Sequence, residues 1–296
     1  MNLYFIIKNI WQHPFNKNSK LKAIWRFFLW QFFSRIYKYH IVYPLTQNSL
    51  ILVKKGMTGV TGCIYNGLLE FEDMMFLLHF LRIEDTFVDI GANVGVYSIL
   101  ASSEIGAKVI AIEPIKSTFK ILSQNILLNN SQNNVVLLNM GVGEKRQELL
   151  FSSSKDTVNH VLDEKIDITP LESELVQVER LDEILLNKNP TIIKIDVEGF
   201  ETNVINGAFQ VLSNINLKAI IIELNGTGFR YGFDDKLLHD KIISYGFTPY
   251  IYEPFERKLT KIENFGKHNT IYIRNIEFVN QRILSASRIK ILNKSI

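Results

Sequence analysis

The feature that most constrains this chain is a regular alternation of short apolar runs with longer segments of helical periodicity, which begins at residue 70. Strands are predicted at 86–92, 108–114, 134–141, 191–196 and 218–224, with a terminal pair at 248–254 and 269–275. Helices are predicted at 70–82, 94–106, 116–130, 180–188, 201–215 and 234–246. Alternation of this kind predicts an α/β fold with a doubly wound, mostly parallel sheet. The strands are almost wholly apolar, as expected for a sheet covered on both faces.

Length and composition agree with one large domain that carries attachments at its ends. The chain has 296 residues, and 47% of them are hydrophobic, which is typical of a protein with a substantial core. Cys63 is the one cysteine of the sequence, which excludes a disulfide framework and a thiolate metal cluster. We therefore expect an intracellular, cytoplasmic protein. The polar stretch 144–179 is predicted to be irregular.

The first part of the chain is basic and aromatic. Residues 1–69 contain nine Lys or Arg and no acidic residue, whereas residues 70–275 contain twenty basic and twenty-nine acidic residues. This asymmetry divides the chain into a basic aromatic arm (1–45), a main domain (46–275) and a basic tail (276–296), and it indicates an anionic partner for the arm. No nucleic-acid module accompanies the arm, so nucleic acid is not an expected partner.

Two interpretations of the arm remain open. Only eight uncharged residues separate Arg26 from Arg35, and about twenty are needed to span a bilayer. The first residues lack the basic start and cleavage site of a signal peptide. The arm is therefore expected either to pack on the main domain or to lie at the inner face of a membrane as a peripheral contact. The sequence does not determine the oligomeric state.

The turn after the first predicted strand is rich in glycine. Asp89 closes the strand, and Gly91, Asn93 and Gly95 follow at alternate positions. In open parallel sheets, ligands bind beyond the carboxyl ends of the strands. A nicotinamide fingerprint would read G-x-G-x-x-G, whereas this turn reads G-A-N-V-G with an acidic residue before it. That acid is suited to a cationic amino group rather than to a pyrophosphate.

The next two strand ends extend the same site. Glu113 lies 22 residues beyond Gly91 and is placed to accept hydrogen bonds from the two hydroxyls of a ribose. The alternative role for Glu113 is a charge that favours the start of the following helix. Asn139 and Met140 follow the third strand, where an adenine ring would lie, although Met140 equally suits the core.

These segments resemble a known family. The sequences FVDIGANVGVYSILA, AIEP and IIKIDVEGFETNVINGA are together similar to those of the FkbM-type methyltransferases, and the likeness covers residues 70–275. The resemblance implies a Rossmann-like class I fold with a seven-stranded sheet whose last strand is antiparallel. It implies that S-adenosylmethionine is the cofactor, held by Asp89, Gly91, Asn93, Gly95 and Glu113. Most characterised relatives methylate hydroxyl oxygens of sugars or polyketides.

The strand 191–196 carries charges that a buried strand would normally lack. Lys194, Asp196 and Glu198 lie on one side of the chain if it stays extended. Lys194 is expected to pair with a carboxylate, because an unpaired buried charge is very costly. Asp196 would face the sulfonium of the cofactor or the hydroxyl of the acceptor, and it would accept the proton of that hydroxyl. Glu198 would act beside it, or would instead favour the start of the next helix.

Further candidates for the acceptor side lie on the fifth strand and on a loop. Glu223 and Asn225 end the strand 218–224 and are expected to contact the acceptor. Three neighbouring acidic residues raise the alternative of a divalent cation, but no dedicated spacing accompanies them, so no metal ligand is assigned. Asn159 and His160 lie in the polar stretch 156–161, where Asn159 would contact the acceptor. His160 would be a base or an ordinary surface residue.

The sequence therefore predicts an S-adenosylmethionine-dependent methyltransferase. The expected acceptor is a hydroxyl on a sugar, a glycan or a glycolipid precursor. Two alternatives remain open: a nicotinamide-dependent oxidoreductase, and a membrane-associated binding protein on a vestigial methyltransferase fold. The glycine loop, Glu113 and Asp196 argue against the vestigial fold, and the asparagine in the loop argues against the oxidoreductase.

Overall fold

The structure is a computed structural model that describes residues 3–153, 159–162, 173–266 and 268–296. Its strands are β1 (Ile41–Pro44), β2 (Leu50–Val53), β3 (Thr86–Ile90), β4 (Lys108–Ile112), β5 (Val135–Leu138), β6 (Gly141–Gly143), β7 (Gln147–Ser152), β8 (Ser173–Arg180), β9 (Ile192–Ile195), β10 (Ala219–Glu223), β11 (Thr248–Glu253), β12 (Lys258–Lys261), β13 (Asn269–Ile273), β14 (Lys290–Ile291) and β15 (Lys294–Ser295). Its α-helices are α1 (Leu3–Gln12), α2 (Lys20–Ile36), α3 (Thr58–Asn66), α4 (Phe71–Phe80), α5 (Val96–Ile99), α6 (Lys116–Leu128), α7 (Leu181–Ile184), α8 (Glu201–Asn206), α9 (Phe209–Ser213), α10 (Asp235–Ser244) and α11 (Ile276–Ser285).

The main sheet has the strand order β12-β11-β13-β10-β9-β3-β4-β5. Strands β5, β4, β3, β9 and β10 are parallel neighbours, and β13 runs antiparallel to both β10 and β11. The predicted α/β class, the mostly parallel sheet and the antiparallel last strand are therefore confirmed. The sheet has eight strands rather than seven, because β12 forms an antiparallel hairpin with β11. The β12 sequence, KLTK, is too polar to be recognised as a strand.

The polar stretch after β5 contains regular structure that was not expected. Strands β6, β8 and β7 form a separate three-stranded sheet, in which β8 is parallel to β6 and antiparallel to β7. Within β8 only Val176 and Val178 are buried. They pack with Phe151 in a small core of their own. A strand that buries one side only has few apolar residues, which explains why the stretch was expected to be irregular.

Both faces of the main sheet are covered, and alternate residues of one strand enter different cores. Along β10, Ala219 and Ile221 belong to the core that includes α3, α4 and α6. Ile220 and Ile222 belong to the core that includes α8, α9 and α10. This alternation follows from the two-residue period of a strand, and it explains why β10 is apolar at successive positions.

The N-terminal helices pack on the main domain through one side. On α2 the buried residues are Ala23, Phe27, Trp30 and Ser34. Phe27 packs edge-on against Tyr65 of α3, with ring centroids 5.1 Å apart. Arg26 donates hydrogen bonds to the carbonyl oxygens of Ile64 and Tyr65. These contacts hold α2 against α3. None of the helices among the described residues is long and apolar enough to cross a membrane.

The C-terminal segment also contacts the domain. Helix α11 packs against α4, and Arg282 forms ion pairs with Glu84 and Asp85. Beyond it, the ammonium of Lys294 lies over the ring of Phe15, 4.4 Å from the centroid. The two ends of the chain therefore meet beside α3. The limits of the arm, domain and tail given above remain a prediction.

Candidate active site

A cavity of about 410 Å³ lies at the carboxyl ends of the parallel strands. Its walls come from the residues that follow β3, β4, β5 and β9, from the end of β10, and from the first turn of α3. Ten of the residues singled out in the sequence line it: Asp89, Gly91, Asn93, Glu113, Met140, Asn159, Lys194, Asp196, Glu198 and Glu223. Four of them do not: Gly95, Asn139, His160 and Asn225. The strand-end rule for open sheets therefore places most of the candidates together.

The glycine loop is shaped by its neighbours in the protein. Gly91 has a φ of +78°, and a Cβ at this position would lie 1.8 Å from the backbone oxygen of Asp196. Gly95 has a φ of +93°, and its Cβ would lie 2.5 Å from Leu122 Cδ1 of α6. Gly91 must therefore be glycine for the backbone after β9 to approach the loop this closely, whereas at Gly95 the positive φ favours glycine, because the end of the Leu122 side chain can move.

Asn93 adopts the left-handed conformation, with a φ of +51°, which asparagine tolerates better than most residues. Its side chain accepts a hydrogen bond from Val94 N at 2.7 Å. Its own N–H donates to Glu113 Oε2 at 2.9 Å. The asparagine in the middle of the loop thus connects the end of β3 to the end of β4.

Glu113 is a buried carboxylate whose oxygens face the loop. Oε2 accepts from Asn93 N, and Oε1 accepts from Ile115 N at 3.0 Å. Each oxygen keeps a second lone pair. Burial raises the pKa of Glu113 to about 7. The group can therefore accept two further hydrogen bonds from a ligand, and such bonds favour its ionised form.

Asp89 is buried at the end of β3 and only partly satisfied. Its Oδ2 accepts from Ser98 Oγ at 2.7 Å. Its Oδ1 has no hydrogen-bond partner among the described residues. Burial raises the pKa of Asp89, and the nearby ammonium of Lys194 opposes the shift. A buried oxygen without a partner is costly, so this end of the cavity is suited to a donor group such as an ammonium.

Lys194 is the basic residue among the described side chains that line the cavity. Its Nζ donates to Asp196 Oδ2 at 2.8 Å and lies over the ring of Tyr97, 4.7 Å from the centroid. Burial alone would lower the pKa of Lys194, but the carboxylates of Asp196 and Glu70 raise it overall. Lys194 is thus a fixed cation, and the structure supplies the carboxylate partner that its burial requires.

Three carboxylates meet beside that ion pair. Asp196, Glu198 and Glu223 each place one oxygen within 4.8 Å of the others. Burial, followed by repulsion from Asp196 and Glu223, raises the pKa of Glu198 to about 8. Burial and the charge of Asp196 raise the pKa of Glu223 to about 7. A bound cation or a hydroxyl that releases a proton would relieve this repulsion.

The chain does not stay extended after β9. Glu198 has a φ of +55°, a conformation that costs energy for a residue other than glycine. The N–H groups of Val197 and Gly199 are instead satisfied by Glu201 Oε1, at 3.0 and 3.2 Å. Glu201, and not Glu198, therefore has the structural role at the start of α8, and the Glu198 side chain faces the cavity.

Apart from Gly95, the candidates outside the cavity make hydrogen bonds to nearby groups of the protein. Asn139 donates to the carbonyl oxygens of Glu113 and Pro114. Asn225 is exposed and accepts from Thr227 N and Thr227 Oγ1 within one turn. His160 is buried, and its backbone N–H donates a hydrogen bond to Ser152 Oγ. Of the stretch 156–161, residues 156–158 lie outside the described part of the chain.

Two residues that the sequence did not reveal complete the surroundings of Lys194. Tyr97, from α5, donates through Oη to Glu70 Oε2 at 2.6 Å. Glu70 precedes α4 and lines the cavity. Tyr97 follows the glycine loop by two residues, so its position in the first helical turn could have indicated in the sequence that it lies at the site. Glu70 carried no such signal, because it is distant from the strand ends in sequence.

Comparison with known proteins gives the family. The family model for the "Methyltransferase FkbM domain" matches residues 89–249, more than half of the chain. The chain belongs to the FkbM methyltransferase family. Members of this family use S-adenosylmethionine, which is therefore the cofactor of this chain. The matched segment begins at Asp89, near the end of β3, and includes β4, β5, β9 and β10.

The individual relatives share low sequence identity with this chain. The chain is 26% identical over 158 residues to the "Hexuronic acid methyltransferase AglP" of Haloferax volcanii, and the match covers 53% of this chain and 62% of that protein. The methyltransferase FkbM structure from Methylobacillus flagellatus is 17% identical, with a TM-score of 0.45, covering 73% of this chain and 52% of that one. The structure of M. jannaschii TYW2 in complex with AdoMet is 12% identical, with a TM-score of 0.43, covering 81% and 88%. The chain thus spans less than two thirds of the curated relative.

The cavity fits the chemical groups of S-adenosylmethionine. The unpartnered Oδ1 of Asp89 needs a donor, and an amino group supplies one. The two oxygens of Glu113 each keep a lone pair for a hydroxyl. The excess of carboxylates over the one ammonium suits a ligand that carries a positive sulfonium.

Proposed function

We propose that this FkbM methyltransferase transfers a methyl group to a hydroxyl oxygen of a sugar, a glycan or a glycolipid precursor. The observation that carries the proposal is the cluster of Asp196, Glu198 and Glu223, whose oxygens lie within 4.8 Å of one another in the cavity. A hydroxyl must lose its proton as the new bond to carbon forms. Burial raises the pKa of Glu198 to about 8 and that of Glu223 to about 7, which suits these two carboxyl groups to accept that proton.

The cofactor side of the site is assigned to five residues that line the cavity. Asp89 would hold the amino group, Glu113 the ribose hydroxyls, and Gly91, Asn93 and Met140 would form the adjoining wall. When bound, S-adenosylmethionine supplies an electrophilic methyl group on a positively charged sulfur. The protein's own contribution is to bind, to orient the acceptor oxygen and to remove its proton.

Asp196 and Glu198 are assigned different parts of the proton transfer. Lys194 holds Asp196 through a 2.8 Å hydrogen bond, which fixes the direction of the carboxylate and suits it to orienting the acceptor. Burial raises the pKa of the Glu198 carboxyl group to about 8, and we assign it the role of general base. General-base catalysis of this kind is typically worth ~10²–10⁴-fold.

A saccharide acceptor is supported by the relative from Haloferax volcanii, whose name states that it acts on hexuronic acid. The charge of the cavity favours an uncharged sugar for this chain. Among the described residues that line it, six are carboxylates and Lys194, already paired with Asp196, is the basic one. A hexuronate carboxylate would be repelled by this surface. We therefore expect Asn159, which lines the cavity, to contact a neutral sugar hydroxyl.

Two measurements test the proposal. Calorimetric titration with S-adenosylhomocysteine and with NAD separates a methyltransferase from the oxidoreductase alternative, and we expect binding of the first compound only. Transfer of a radiolabelled methyl group to neutral hexosides and to hexuronides then tests the acceptor class. Cofactor binding without transfer to any saccharide would favour the vestigial binding protein, and transfer to hexuronides alone would refute the neutral acceptor.

A further inference from the structure

The outward side of α2 carries a continuous apolar stripe. Leu21, Trp25, Phe28, Phe32 and Ile36 recur at helical spacing along it, and we call these five residues the outer α2 face. Their side chains are between 47% and 75% exposed. A contiguous exposed patch of five large apolar side chains usually marks a contact with a partner or a membrane.

The outer α2 face lies directly opposite the side of the helix that is already buried. Ala23, Phe27, Trp30 and Ser34 also recur at helical spacing and face α3. The two sets are about half a turn apart at 100° per residue. One helix cannot press both sides against the same domain, so the second apolar stripe takes no part in the core that the described residues form.

Positive charge surrounds the outer α2 face. Lys22 and Arg35 lie on α2 on either side of the stripe, and Lys17 and Lys38 lie just beyond the two ends of the helix; all four are exposed. No acidic residue occurs in residues 1–69 to neutralise them. Arg26 is the exception to this outward arrangement, because it is turned inward to the carbonyl oxygens of Ile64 and Tyr65.

We propose that the outer α2 face binds the surface of an anionic lipid bilayer, with α2 lying in the interface. An aromatic and aliphatic stripe with basic residues along its edges suits the boundary between headgroups and acyl chains. A second copy of the chain is a poorer occupant, because a symmetric contact would bring two basic surfaces together. The 17 residues of α2 span about 25 Å and include charges, which is consistent with a helix lying in the interface.

The position of α2 relates this surface to the cavity. Helix α2 packs on α3 through Phe27 and Arg26. Met57, Thr58 and Val60, at the start of α3, line the cavity. The helix that contacts the bilayer therefore also supports a wall of the site. The buried side of α2 keeps its packing whether or not its outer side is occupied.

Co-sedimentation of the full chain with vesicles tests the proposal. We expect binding to vesicles of phosphatidylcholine mixed with phosphatidylglycerol, little binding to phosphatidylcholine alone, and weaker binding in high salt. Trp25→Gln/Phe32→Gln should lower the partition coefficient tenfold or more. Lys22→Gln/Arg35→Gln should lower it about thirtyfold. The second variant leaves the apolar stripe intact, so the proposal stays testable even if the first one folds poorly.

The matched control is Phe209→Gln/Ile215→Gln. These side chains are 61% and 74% exposed, and Phe209 lies on α9, whose buried residues belong to the core on the other face of the sheet. We expect wild-type binding from this control. Equal binding of the wild type to neutral and anionic vesicles, binding to neither, or an equal loss in the control would overturn the proposal. A wild-type dimer that Trp25→Gln/Phe32→Gln converts to a monomer, without vesicle binding, would instead assign the face to a second copy.

Discussion

Replacement of Glu113 by alanine tests the cofactor side of the site without knowledge of the acceptor. Glu113 accepts the N–H groups of Asn93 and Ile115 at 2.9 and 3.0 Å, and each oxygen keeps a lone pair for one ribose hydroxyl. Hydrogen bonds to a charged group contribute ~1.5–3 kcal/mol. We therefore expect the dissociation constant of S-adenosylhomocysteine to rise roughly ten- to a hundredfold.

The pH dependence of binding makes this prediction sharper. Burial raises the pKa of Glu113 to about 7, so the free protein holds a proton on this group below pH 7 and loses it above. The ribose hydroxyls donate to the ionised carboxylate, and a ligand that binds at low pH must therefore displace a proton. From pH 6 to pH 8 the affinity of the wild type should rise by about tenfold through this group. The alanine variant should lack that part of the rise.

Calorimetric titration at pH 6, 7 and 8 measures both effects, and a melting curve followed by circular dichroism checks the fold of the variant. Glu104→Ala is the matched control, because Glu104 also accepts a backbone N–H, from Asn48 at 3.1 Å, but does not line the cavity. An unchanged dissociation constant in a folded Glu113→Ala protein, or an equal loss in Glu104→Ala, would refute the assignment of Glu113 to the ribose.

Three further substitutions separate chemistry from stability. Asp196→Asn keeps one oxygen for Lys194 but loses the charge that orients the acceptor hydroxyl, so single-turnover transfer should fall ~10²-fold with cofactor affinity unchanged; a lower melting temperature with full rate would make the ion pair purely structural. The pKa of Glu198 rises from 4.5 to about 8 on folding, and its ionisation therefore destabilises the folded state as the pH rises through that window. The melting temperature of Glu198→Gln should thus exceed that of the wild type at pH 8, and by much less at pH 5. Equal differences in melting temperature at the two pH values, measured by calorimetry, would contradict this. Gly91→Ala places a Cβ 1.8 Å from Asp196 O and should lower the urea midpoint, and an unchanged midpoint would refute the close-approach argument.

Much of the site could be predicted because strand ends are readable in a sequence. Asp89, Glu113, Asp196 and Glu223 each close or follow an apolar run, and parallel strands end at the same edge of a sheet. The need of Lys194 for a carboxylate partner also followed from burial alone. The partner, Asp196, lies two residues away in the sequence, so the pair required no knowledge of long-range contacts.

Other parts of the site depend on contacts that no local pattern contains. Glu70 and Tyr97 meet beside Lys194, although the chain separates them by 27 residues. Asn139 and Asn225 follow strand ends just as the other candidates do, yet their side chains turn back to nearby backbone and hydroxyl groups. The three-stranded sheet was missed because β8 buries only alternate residues.

The sequence by itself determined the α/β class, the alternation of the parallel strands of the main sheet with helices, and the strand ends at which polar groups gather, because these follow from periodicity and from local turn chemistry. It also showed that the arm is basic and aromatic. Only the tertiary structure decided which side of α2 faces α3 and which remains exposed, and which carboxylates surround Lys194. Those outcomes depend on packing between segments far apart in the chain, where a side chain's neighbours are set by how helices and strands meet rather than by the residues beside it.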